Sequence, residues 1–184
     1  PSPRSKVRFR RQRAVTTRCS FVSAALCCVV LSAGCSKKLP PEMQKLELAA
    51  APAGLPISLG VELGSGVELL GAQVTPTEGL KPNARVEVTL YWRKIGKVER
   101  GFRLFTHVMD EAGERLLNLD TVGPLRKMTV DEPAFPPSAW QEGKVYVDQF
   151  AFCVPSTVRT DTIKLVSGLF GDKEGLPITR GPQQ

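Results

Sequence analysis

From Ile57 onward no stretch of ten or more residues keeps a helical period, while run after run alternates with the period of a β-strand. The cleanest run is Arg85-Val86-Glu87-Val88-Thr89-Leu90-Tyr91-Trp92, which sends Val86, Val88, Leu90 and Trp92 to one side. Further runs cover residues 67–74, 102–109, 115–121, 145–154 and 162–170, with a short last one at 176–179. Gly64-Ser65-Gly66 and the loop Pro76 to Asn83, with Gly79 and Pro82, separate the early ones. Seven or eight short strands spaced in this way predict an all-β domain, an antiparallel β-sandwich of the immunoglobulin-like kind.

Asp110-Glu111-Ala112-Gly113 between two of these runs is a hairpin signal. With Met109 facing Glu114, the register sets Val108 opposite Arg115, Thr106 opposite Leu117, Leu104 opposite Leu119 and Phe102 opposite Thr121 on the core side. The other side then carries Arg103 opposite Asp120, Phe105 opposite Asn118 and His107 opposite Leu116, a polar and aromatic surface.

A net charge of +7 invites a nucleic-acid reading, and the location of the charge defeats it. Residues 1–34 hold Arg4, Lys6, Arg8, Arg10, Arg11, Arg13 and Arg18 and no acidic residue. Without those seven, the 25 basic residues fall to 18, equal to the 18 acidic ones, so the chain from Cys35 onward is formally neutral. No nucleic-acid partner is expected. The cysteines divide likewise: Cys19, Cys27, Cys28 and Cys35 lie in or at the end of this leader, and Cys153 alone lies in the body. That excludes a disulfide scaffold and a four-cysteine zinc site in the body. Cys153, inside Phe150-Ala151-Phe152-Cys153-Val154, is expected to be a small buried hydrophobe.

The leader is a basic segment followed by an uncharged apolar one of about 14 residues, Ser20 to Ala33, suited to a secretory signal and short for a membrane span. Leu31-Ser32-Ala33-Gly34-Cys35 resembles the lipobox of bacterial lipoproteins, with Ser32 standing one position before the small pair where that motif carries Leu. The resemblance implies cleavage before Cys35, acylation of its sulfur, and anchorage in the bacterial cell envelope. Ser36 in place of Asp leans towards the outer membrane. A leader that stays uncut as an anchor is the alternative. Residues 35–56, with Pro40-Pro41 and Leu48-Ala49-Ala50-Ala51-Pro52-Ala53-Gly54, are expected to be an extended tether before a domain at 57–184. About 20 extended residues would lift that domain by up to about 60 Å.

The body has a resemblance of its own. Val88-Thr89-Leu90-Tyr91-Trp92, Leu104-Phe105-Thr106-His107-Val108, Asp110, Gly113, Asp120, Pro124, Trp140-Gln141-Glu142-Gly143, Asp148, Val154-Pro155 and Ser167-Gly168-Leu169-Phe170 form an ordered series over residues 67–172. The series is similar to a small bacterial β-sandwich module found at the ends of dolichyl-phosphate-mannose-type membrane glycosyltransferases and in stand-alone exported proteins. Thr106, Met109 and Phe170 depart from its aliphatic and Tyr positions. The resemblance implies a fold and a cell-envelope or glycan context, and no reaction.

Candidate sites are few. His107, the single histidine, invites a metal or acid–base reading with Asp110 and Asp120. A catalytic zinc needs about three protein ligands, and the hairpin register sets His107 about 13 Å from an Arg103–Asp120 pair. Trp140 and Tyr146 are candidate sugar-stacking platforms, with Trp140 either exposed or plugging one end of the sandwich; Trp92 belongs to the core. Arg126-Lys127 and the basic loop from Lys94 to Arg103 are expected to be solvated turns. No Gly-x-Ser-x-Gly nucleophile and no Gly-rich phosphate loop is present. The expectation is a non-enzymatic binding or assembly module without cofactors. Its lipid rests on Cys35, and a protein or glycan partner meets a surface drawn from Arg103, Phe105, His107, Asp120, Trp140 and Tyr146. A carbohydrate-binding accessory and a metal-dependent enzyme are the alternatives.

Overall fold

The alternation over residues 85–92 becomes the centre of a sheet. The computed structural model describes residues 41–126, 135–158, 162–172 and 174–181. The leader read over residues 1–34, Cys35, and Lys127 of the basic turn lie outside them. Nine strands are described: β1 (Glu47–Leu48), β2 (Ile57–Leu63), β3 (Val67–Thr75), β4 (Arg85–Lys94), β5 (Arg103–Met109), β6 (Arg115–Asn118), β7 (Val145–Cys153), β8 (Lys164–Phe170) and β9 (Ile178–Arg180). Pairing is antiparallel throughout, in a six-stranded sheet ordered β1-β7-β4-β3-β2-β9 and a three-stranded sheet ordered β6-β5-β8. The all-β sandwich read from the sequence is therefore the fold, with one strand more than the upper count expected.

Both sheets bury one face. Val86, Val88, Leu90 and Trp92 of β4 meet Phe150 and Phe152 of β7, and Leu104 and Val108 of β5 meet Leu169 of β8, all in one buried cluster. Trp92 pairs across the sheet with Tyr146 on one side and with Leu69 on the other, so the largest side chains stack at one level of the core. Burying each such side chain contributes about 1.5–3 kcal/mol.

The tether ends earlier than the sequence indicates. Pro41–Gln44 forms a short helix, α1, and Glu47 and Leu48 pair with Tyr146 and Val145 at the edge of β7. Leu46 packs on the core, and its carbonyl accepts the Val147 amide at 2.8 Å. Proline and alanine content suggested extended chain; it did not reveal that Leu46 and Leu48 have apolar surface to bury. Residues 49–56 then pass from the β1 edge to β2, four strand spacings away in the sheet order, about 19 Å. Eight residues reach at most about 29 Å, so the crossing is close to extended. Leu55 lies against Gly71, the partner of Tyr91 on the face turned away from the second sheet. A Cβ at Gly71 would stand 2.3 Å from the Ile57 carbonyl oxygen, so the close crossing requires glycine there.

The β5–β6 hairpin forms where expected, with a different register. Gly113 takes φ 85, and Asp110 Oδ1 accepts the Glu114 amide at 2.7 Å. An irregularity between Val108 and Met109 sets Met109 opposite Arg115, Val108 opposite Leu117 and His107 opposite Asn118. Met109 is already one residue out of the regular register, in which it faces Glu114, and the irregularity adds a second, so beyond it the partner strand is displaced by two residues. An even slip keeps every side chain on its face and changes its neighbour.

Candidate functional site

That slip assembles the site. On β5, Leu104, Thr106 and Val108 face the core, and Arg103, Phe105, His107 and Met109 face outward. Asp120, expected opposite Arg103, instead accepts the Thr106 amide on Oδ1 at 3.0 Å, and His107 Nε2 lies 3.4 Å from the same oxygen. The separation of about 13 Å inferred for His107 is thus corrected to direct contact. Asp120 is held in turn by its own amide, which donates to Asn118 Oδ1 at 2.8 Å. Arg103 pairs with Asp172 at 3.9 Å, not with Asp120, and its guanidinium stands 5.5 Å from the centre of the Phe170 ring.

Aromatic rings complete the face. Phe105 contacts His107 at 5.2 Å and Phe170 edge-on at 6.1 Å between ring centres. Phe105 also lies over Gly168, where a Cβ would meet its ring at 2.8 Å, so the half-buried ring leans on backbone. Beside it Val166 of β8, which pairs with His107, is 44% exposed. Phe170 and Val166 were not among the candidate site residues read from the sequence. Their signal was available in the alternation of Lys164 to Phe170, whose even positions share the outward face with β5.

Trp140 and Tyr146 lie elsewhere and do not form a surface platform. Trp140 is 2% exposed and Tyr146 fully buried, their rings stacked at 4.5 Å and 20° with Phe135 tilted against Tyr146. Trp140 Nε1 donates to the Phe135 carbonyl at 2.9 Å, and Lys94 Nζ donates to the Trp140 carbonyl at 2.8 Å. The Tyr146 hydroxyl donates to Glu47 Oε2 at 3.0 Å and accepts the Gln141 amide at 2.8 Å. Burial pushes this phenol up from 10.0 to about 12; the Gln141 amide opposes the shift and Glu47 adds to it. The pair clamps the arm that carries β1, so its faces are taken by protein, and sugar stacking on these two rings is ruled out in this conformation.

Two further expectations are corrected. Arg126, read as part of a solvated turn, is 3% exposed, and its Nε donates to Asp148 Oδ2 at 2.9 Å while its guanidinium lies 5.0 Å from the Phe150 ring centre. Asp148 occupies the core phase of β7, between Tyr146 and Phe150. Burial raises its carboxyl above the usual value, while the Arg126 guanidinium and the facing Trp92 indole oppose that shift. The Trp92 N–H stays outside hydrogen-bonding geometry, leaving Trp92 Nε1, Arg126 Nη1 and Asp148 Oδ1 without a bonded partner. Cys153 is exposed at the end of β7, not buried, because its neighbours Phe152 and Val154 take the inward positions.

A pocket of about 90 Å³ opens at the Arg103 end of the outward face. Leu104, Leu125, Pro136 and Pro137 line it with Arg103, Asp120, Thr121, Arg126 and Phe170. Among the described residues no three His, Cys, Asp or Glu side chains gather as metal ligands. Among the described residues, the face offers an acceptor, a guanidinium and aromatic rings, which can bind a partner. Neither a known protein family, nor a curated protein, nor a solved structure matches this chain.

Proposed function

We propose that the protein is a non-catalytic binding or assembly module of a bacterial cell envelope, anchored by lipid on Cys35 and presenting the outward face of β5 and β8 to a protein or glycan partner. The observation that carries this reading is the convergence of Arg103, Phe105, His107 and Asp120 with Phe170 and Val166 on one face. Interfaces are marked by aromatic and arginine anchors with a polar rim, and this face has that make-up. The lipobox-like stretch and the likeness of the body to an exported module support the envelope setting.

Crosslinking in the protein's own membranes tests the face. Val166→Lys, at an exposed position, and Phe105→Ser are expected to remove crosslinked species that the parent forms, while Thr89→Lys on the outward side of the other sheet leaves them. Equal crosslinking by all four proteins would discard this face as the interface.

A further inference from the structure

We propose that the pocket beside Arg103 takes the acetamido group of an N-acetylated sugar; this rests on the reading of the β5–β8 face as the binding surface. Size comes first. About 90 Å³ exceeds the ~10–15 Å³ that one water needs and falls short of the ~150 Å³ that admits a benzene ring, so the space suits a substituent of about four heavy atoms. Leu104, Leu125 and Pro137, all buried, make an apolar floor that suits a methyl group.

The rim supplies both hydrogen-bonding senses. Asp120 Oδ1 is taken by the Thr106 amide and His107, while Oδ2 accepts from no described residue. Thr121, an exposed residue with a hydroxyl, lines the pocket with Asp120, and Arg103 brings guanidinium donors. An amide needs one acceptor for its N–H and one donor for its carbonyl. Charge then disfavours an anionic ligand: the two guanidinium groups at the pocket are matched by carboxylates, Arg103 by Asp172 and Arg126 by Asp148. A phosphate would find no surplus of positive charge. A small terminal group suits a pocket of this size, entering its open mouth methyl first. With the methyl on the floor, the sugar ring lies beside Phe170 at the rim, whose aromatic surface suits sugar C–H groups.

The full-length protein is titrated with N-acetylglucosamine, glucose and an N-acetylated dipeptide amide, with backbone amide resonances as the readout. Saturable shifts at Asp120, Thr121 and Phe170 are expected with N-acetylglucosamine, and glucose is expected to bind at least tenfold more weakly. Thr121→Val should weaken binding severalfold. Thr121→Phe, which closes the mouth from an exposed position, should abolish it with the melting curve unchanged. Equal affinity for glucose, tighter binding of the acetylated peptide, shifts confined to other residues, or no binding would each overturn the assignment. If the crosslinks still depend on Val166 while no acetamido ligand binds, only the ligand class falls. If the crosslinks are also indifferent to Val166, the face itself is wrong.

Discussion

Asp148 sits where an apolar residue is due, and its isolation makes its partner indispensable. A buried carboxylate stripped of its guanidinium is an uncompensated charge, and breaking such a pair costs about 3–5 kcal/mol. Arg126→Met and Asp148→Asn are each expected to lower unfolding free energy by that amount in urea. The double variant Arg126→Met, Asp148→Leu should recover most of it, since a hydrophobic pair of similar volume is often neutral or better. Additive losses in the double variant would show that the two side chains act separately. Tyr146 carries a pH signature of opposite range. Its pKa is raised from 10.0 to about 12 by burial, so the stability it contributes is complete below pH 10 and is lost as pH climbs through about 12. The stability difference between the parent and Tyr146→Phe should therefore be flat up to pH 10 and shrink above it; a difference that shrinks towards acid pH would contradict the burial of the phenol.

At the level of elements, alternation was legible and contact was not. The run from Val86 to Trp92 announced its inward face, and the structure buries those four residues. Asp110 to Gly113 announced the turn. The irregularity at Val108 and Met109 left no mark in the sequence, since an extra residue in one strand changes pairing without changing polarity pattern. The two-residue displacement to which it contributes separates an Arg103–Asp120 pair from the His107–Asp120 contact that forms. Burial of loop charges was hidden for a similar reason: Arg126 follows a glycine-proline turn and looks solvated until Asp148, 22 residues later, is seen to face it. The crossing of residues 49–56 was likewise read as spacer because its contacts are long-range. Gly71→Ala tests that crossing. The added carbon would displace the Ile57 carbonyl or Leu55, and overpacking of this kind costs about 1–3 kcal/mol. The loss should appear with faster amide exchange in residues 49–57, and unaltered exchange there would mean that the segment is not held against β3.

The whole molecule divides its chemistry unevenly: residues 1–34 hold seven basic residues, no acidic one and three of the five cysteines, while the formally neutral chain from Cys35 onward holds Cys35 and Cys153. This asymmetry makes the proposed anchor countable. If Cys35 carries lipid on its sulfur and the leader is gone, the denatured protein from membranes takes up one maleimide, at Cys153. The same label should react with the folded protein, because Cys153 is exposed. Cys153→Ser should then take up none in either state. An uncut and unmodified chain keeps all five cysteines, and an acylated but uncut one keeps four, so the mass of the labelled protein separates the three forms. Cys35→Ala is expected to lose acyl labelling and leave the membrane fraction, because two or three acyl chains hold a protein at the bilayer while a neutral body contributes no electrostatic attraction of its own. A Cys35→Ala protein that stays membrane-bound and labels at four thiols would identify the apolar stretch from Ser20 to Ala33 as the anchor instead.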